Sequence, residues 1–364
     1  MGILSQMFNL LGTTPLGRRG TLSTHHGEIQ TPFFMPVGTA GAMRGITHQD
    51  LLDLGAQILL CNTYHLHIQP GEKIIEDVGG LHPFVHWDKP ILTDSGGYQV
   101  FSLRHTNKIE SDGVHFQSHI DGAALFLGPE STMRIQHALG ADIIMCFDHC
   151  PPSTASRSDI EKAVDRTLVW AKQCKEWHEK LSKKSKTPPL LFGIVQGGLE
   201  QDLRKKCAEE LIAMDFDGYA IGGLAVGEKP DEMYDVLDAV CPLLPEEKPR
   251  YLMGVGAIDQ LKKCVTKGID MFDCVLPMRL GRHAHIFLSD GKEIRINRSE
   301  FREAHEPIDT DSPSPLSRTH LKSYLHHLFK AKERLAETIA CMQNLGVTLQ
   351  TMQKLREELD ASLN

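Results

Sequence analysis

The sequence lacks several features, and each absence narrows the reading. Its nine cysteines are scattered over 364 residues, with no C-x-x-C pair and no regular spacing. That argues against a disulfide framework and reads as the reduced thiols of a cytoplasmic protein. No apolar run approaches the roughly 20 residues that cross a bilayer, so no membrane partner is expected. The apolar stretch Gly2–Leu11 is short and has no basic flank, so it does not read as a signal peptide. Gln6 stands where an N-myristoylation pattern needs Ser or Thr. Positive charge is not in excess: the formal net charge is −8. This excludes a protein that coats nucleic acid by bulk electrostatics, but not one with a local basic patch. A glycine-rich phosphate loop after the first strand is also missing.

What is present is alternation. Strand-like apolar runs fall at Phe33–Val37, Ala56–Leu60, Ile91–Asp94, Asp142–Asp148, Leu190–Gln196, Tyr219–Ala225, Tyr251–Val255 and Ile269–Leu276. Helical periods lie between most of them: Thr47–Leu54, Pro129–Leu139, Asp159–Leu181, Asp202–Met214, Pro230–Leu237 and Ile258–Lys267. Eight strands alternating with helices over roughly 250 residues predict an α/β fold, a (β/α)₈ TIM barrel. An open doubly wound sheet is the runner-up. The barrel with its lead-in is assigned to residues 1–300. Inserted β segments are expected at 103–128 and 283–298, the second as a hairpin turning at Ser289-Asp290-Gly291. A Pro/Ser/Asp linker spans 305–317. Residues 301–364 form a helical subdomain, with one helix from Arg318 to about Met342 and a second over Val347–Leu359.

Acids interrupt the apolar runs. Asp94 ends the third, Asp148 the fourth, Asp273 lies late in the eighth beside Asp270, and Glu228 follows the sixth. A buried acid is costly unless partnered or employed, and in a barrel the C-terminal strand ends form the active mouth. Carboxylates without a Ser/His/Cys relay suit attack at an anomeric carbon, one as nucleophile and another as proton carrier. Metal binding is the rival use, but the acids sit singly on different strands. The loops at Gln196-Gly197-Gly198, Gly222–Gly227 and Met253–Gly256 let backbone approach a flat ligand, and Tyr98 can stack on one.

Several of these stretches closely resemble the bacterial tRNA-guanine transglycosylases. They are Thr93-Asp94-Ser95-Gly96-Gly97-Tyr98-Gln99-Val100, Phe147-Asp148, Val195-Gln196-Gly197, Gly222–Glu228, Arg250–Gly256 and Met271–Pro277. The resemblance runs from about Gly17 to the C-terminal helices. It implies exchange of guanine at the wobble position of certain tRNA anticodons for a 7-deazaguanine base, on the path to queuosine. It casts Asp273 as the nucleophile toward ribose C1′, through a covalent ribosyl-aspartate, and Asp94 as general acid/base. Asp148, Cys150, Gln196 and Gly223 match base-pocket positions. Leu224 and Ala225 offer backbone contacts that Glu228 orients, and Tyr98 and Met253 match the residues that sandwich the base. Arg279 and Arg282 match phosphate contacts. Val226 and Cys150 match a pocket for 7-aminomethyl-7-deazaguanine, and queuine stays open as the entering base. A homodimer is implied.

The resemblance fails in places. The family's tail carries three Cys and one His for a structural zinc; here those positions fall on Ser312, Ser314, Ser317 and Gln343. No metal or other cofactor is therefore expected. His326 and His327 read as packing residues. After Pro277 the family's polar Thr and Asn are absent from Pro277–Ala284, and His149 stands where an acid is common. Two other functions compete: a non-catalytic tRNA-binding partner subunit, and a small-molecule glycosidase on the same barrel.

Overall fold

In the computed structural model, residues 7–102 and 108–364 are described; residues 103–107, the start of the first expected insertion, lie outside them. All eight expected runs form strands of one parallel sheet. In chain order these are β1 (Phe33–Met35), β2 (Leu59–Cys61), β3 (Ile91–Thr93), β4 (Ile143–Met145), β5 (Leu190–Val195), β6 (Gly218–Ile221), β7 (Arg250–Leu252) and β8 (Met271–Asp273). Neighbours in sequence are neighbours in space, β8 pairs with β1, and a parallel bridge between Val37 and Leu60 joins β1 to β2. The barrel reading holds.

Alternation along the strands sorts the side chains. Phe33, Met35, Leu60, Leu92, Ile143, Met145, Phe192, Ile194, Ala220, Tyr251 and Met271 pack together inside the barrel. Phe34, Leu59, Cys61, Ile144, Leu191, Val195, Tyr219, Leu252 and Phe272 face the helices in a separate cluster. The same parity, carried past the strand ends, turns Asp94, Gln196, Met253 and Asp273 toward the mouth. The lead-in folds as a three-stranded antiparallel sheet over Phe8–Thr14, Gly17–Thr24 and Gly27–Thr31, and its Phe8, Leu22 and Ile29 close the barrel floor. The first turn lies at Thr14–Gly17, and Gly17–Gly20 is strand. Asp270 is buried at that floor, accepting from Arg18 Nε at 3.2 Å and from the Arg250 amide at 2.9 Å. It is a structural acid.

The insertion after β3 forms a small antiparallel sheet over Lys108–Ile109, Val114–Gln117 and Ala124–Leu127, and the hairpin after β8 pairs His285–Phe287 with Glu293–Arg295. The tail corrects the sequence reading. Its helices are Pro315–Thr319, Lys322–Ala331 and Arg334–Leu363. The break falls at Lys332, which takes a left-handed conformation (φ 59°), not near Gly346. Gly346 sits inside the last helix because a Cβ there would come within 3.1 Å of Leu54 and 3.3 Å of Pro313. It allows close packing and ends nothing.

Candidate active site

The C-terminal strand ends surround a cleft of about 410 Å³. Of the residues singled out from sequence, Asp94, Tyr98, Asp148, Cys150, Gln196, Gly223, Leu224, Ala225, Met253, Asp273 and Arg279 line it. The acids therefore converge on one mouth. Tyr98 is 57% exposed at the rim. Glu228 and Arg282 stand outside the lining. Glu228 lies behind it, accepting the Ala225 N–H on Oε1 and the Val226 N–H on Oε2 at 3.0 Å. That bond turns the Leu224 carbonyl to the opposite side of its trans peptide. Ala225 itself is held at φ 57°, a strained value for a residue with a Cβ. Arg282 is partly buried and its charge faces Cys341 of the last helix.

Asp94 follows β3. Its Oδ2 accepts from Asn62 Nδ2 at 2.6 Å and Gln99 Nε2 at 2.7 Å, and its Oδ1 from the Thr63 amide at 2.8 Å. Burial nevertheless outweighs these bonds and raises its pKa above the usual carboxylate value. Asp148 lies just beyond β4, where the run was read as reaching it. Gln196 Nε2 donates to its Oδ2 at 2.7 Å and Ser95 Oγ to its Oδ1 at 3.1 Å. Burial pushes it up to about 6, and the charge of Asp94 adds to that push. Asp273 ends β8. Tyr251 OH at 2.6 Å and the Gly254 amide at 2.9 Å both donate to its Oδ1. Its Oδ2 has no hydrogen-bond donor among the described residues. Burial and Asp94 raise its pKa as well. Cys150, pushed up to about 12 by burial and by Asp148, is a neutral thiol here.

Gly223 (φ 66°) lies so near the Gln196 side chain that a Cβ would come within 2.5 Å of Oε1. This glycine is required by both conformation and space. Sequence reasoning missed Asn62, Gln99 and Tyr251. Asn62 stands directly after β2, a position the barrel rule could have flagged. Tyr251 reads as one more apolar residue of β7.

The tail network can be set against zinc by the chemistry of its donors. Ser312, Ser314, Ser317 and Gln343 are all at most 2% exposed. Ser312 Oγ donates to Gln343 Oε1 at 2.6 Å and accepts the Ser314 amide at 3.0 Å. Gln343 Nε2 donates to the Phe287 carbonyl at 2.7 Å and to Asp309 Oδ2 at 2.8 Å. Hydroxyls and a carboxamide, without a thiolate or an imidazole, do not fit zinc. His326 is occupied with the Ile296 carbonyl at 2.8 Å. Near the floor, His26 and His82 meet Asp142, but that carboxylate also accepts the His26 and Ile91 amides, so four donors saturate it as a structural tie.

The family model described as "Queuine tRNA-ribosyltransferase" matches residues 13–362. A protein of that name from Clostridium botulinum (strain Hall / ATCC 3502 / NCTC 13319 / Type A) is 47% identical over 360 residues, covering 98% of this chain and 96% of its own. One from Clostridium perfringens (strain 13 / Type A) is 48% identical over 357 residues, covering 97% and 94%. The chain belongs to the queuine tRNA-ribosyltransferase family.

Proposed function

We propose that this protein is a pentosyltransferase that exchanges guanine at the tRNA wobble position for a 7-deazaguanine base. The observation that carries the proposal is the arrangement of Asp273 in the cleft it shares with Asp94. One oxygen is held by Tyr251 and Gly254, and the other has no donor among the described residues. Asp273 Oδ2 attacks ribose C1′ as the C1′–N9 bond to guanine breaks, giving a ribosyl ester. Asp94, whose burial favours its protonated form, gives its proton to the departing guanine. The resulting Asp94 carboxylate takes the N9 proton of the entering base. N9 then attacks C1′ and releases the Asp273 carboxylate. Two displacements leave the anomeric configuration unchanged.

The base is read by Asp148, Gln196 and the Gly223–Ala225 backbone between Tyr98 and Met253, so an analogue lacking a partner group would leave buried polar atoms unpaired. The target nucleotide leaves its stack to enter the cleft. Exposed Arg279 at the rim, with Arg282 behind it, would meet anticodon phosphates. The entering base is 7-aminomethyl-7-deazaguanine or queuine, and a competition assay between the two decides. The tail works without zinc, the chain acts in the cytoplasm, and it pairs as a homodimer, which sedimentation tests.

The test is incorporation of radiolabelled guanine into unmodified tRNA. Wild type incorporates label, Asp273→Ala does not, and Asp273→Asn fails to form the tRNA adduct. Label incorporated only after a second protein is added would point instead to a non-catalytic subunit.

A further inference from the structure

A fully buried arginine lies beneath the floor of the base pocket, and the proposed chemistry does not use it. Arg204, from the Gln201–Ala213 helix, has 0% exposure. Its Nε donates to the Gly198 carbonyl at 2.8 Å, and its Nη1 to the carbonyls of Val195 and Gly222, both at 2.7 Å. Val195 ends β5 and precedes Gln196. Gly222 follows β6 and precedes Gly223. The last paired register between these strands is Val195 with Ile221. Just past it the Gly222 amide still donates to the Val195 carbonyl at 3.1 Å, and the guanidinium reinforces this last backbone bond where the two strands give way to the cleft loops. No carboxylate forms an ion pair with it among the described residues.

A buried cation without a counter-ion is expensive. Apolar packing would join a helix to two strands at less cost. What the fork supplies is geometry, since planar donors fix two backbone segments at a set spacing. Two further atoms point the same way. Arg204 Nη2 and Gln196 Oε1 are both buried and, among the described residues, without a partner. They flank the same spot, 3.7 Å and 2.5 Å from a Cβ built on Gly223.

We propose, resting on the exchange reading above, that Arg204 is the positioning residue of the base pocket, setting the spacing between the Gln196 amide and the Gly222-Gly223 backbone. It acts on the base and not on the RNA, because Gln196 and Gly222-Gly223, which line the cleft, are the segments that the exchange reading gives to the base.

The experiment uses full-length Arg204→Lys and Arg204→Met. Lys keeps the charge but loses the fork; Met keeps the stem alone. KM for the free base, KM for tRNA, kcat and the thermal midpoint are measured beside wild type. Expected is a rise in base KM of roughly tenfold for Arg204→Lys and more for Arg204→Met, with KM for tRNA within about twofold. A purely structural clamp would lower the thermal midpoint and the active fraction and leave base KM unchanged. That result overturns the proposal, as does failure of both variants to fold. Calorimetry with free guanine separates the two levels of the argument. If wild type binds no base, the exchange reading has failed. If wild type and both variants bind equally, only the assignment of Arg204 has failed.

Discussion

Tyr251 of β7 donates its hydroxyl proton to Oδ1 of Asp273, the last residue of the neighbouring β8, at 2.6 Å. The bond fixes which carboxylate oxygen is spent on the protein and which is left, among the described residues, without a donor in the cleft. It also favours the ionised form of Asp273 against the opposing effect of burial. Tyr251→Phe should lower kcat about 10- to 100-fold, the range for losing one bond to a charged group. It should leave KM for tRNA unchanged. Without the phenol the Asp273 pKa rises further, so the acidic limb of the kcat profile should move to higher pH. A kcat–pH series on the two proteins measures this.

In the proposed exchange Asp148 reads the base as a carboxylate, and its pKa is pushed up to about 6. The charged form is lost as pH falls through that value, so KM for the base should climb below about pH 6. The same shift has a cost in stability. A group that resists ionisation when folded destabilises the fold at neutral pH. Asp148→Asn should therefore raise unfolding free energy at pH 7, on the order of 2–3 kcal/mol, while abolishing base binding. Urea unfolding and base calorimetry check the two halves.

The tail should ignore chelators. EDTA is expected to leave the thermal midpoint and the activity of purified protein unchanged, with no zinc found by elemental analysis. Gln343→Ala strips partners from the Phe287 carbonyl, Asp309 and Ser312 together. It should cost roughly 2–4 kcal/mol by leaving buried groups unpaired. Replacing Ser312, Ser314 and Ser317 by Cys and Gln343 by His should create a zinc-binding protein, read directly as bound metal.

Two histidines predict acid sensitivity. His137 and His149 are each held down to about 4, mainly by burial, with His178 and Arg166 respectively adding to it. The unfolded chain takes up their protons near pH 6.5, whereas the folded chain resists until about 4. Stability is thus fully present above pH 6.5 and drains away as pH falls toward 4. The loss at pH 5 relative to pH 8 should be about 2 kcal/mol per histidine. Urea midpoints at the two pH values give the number, and His149→Gln should flatten the dependence.

The barrel was legible because alternation and apolar runs are properties of short stretches. Asp94 and Asp273 were legible for a related reason: an acid at the end of a buried strand stands out against its neighbours. Tyr251 did not stand out, since an aromatic side chain inside an apolar strand looks like core, and only the structure aims its hydroxyl. Arg204 sits in Gln201-Asp202-Leu203-Arg204-Lys205-Lys206, which reads as a solvated helix surface. The break at Lys332 carries no glycine or proline signal, and the gap expected between Met342 and Val347 is continuous helix. In each of these cases a contact distant in sequence decides, and local pattern does not record it.

The last helix, Arg334–Leu363, would be about 45 Å long at 1.5 Å per residue. Near its middle, Asn344 grips the Pro277 carbonyl just beyond Asp273, and Cys341 the Met278 carbonyl. Toward its end Arg356 holds the Pro32 carbonyl and Asp360 meets Arg19 on the lead-in sheet. One rod thus braces the rim and the base of the vessel at once. Injury far below, such as losing the Arg19–Asp360 contact, has a rigid lever through which to disturb the segment that follows Asp273.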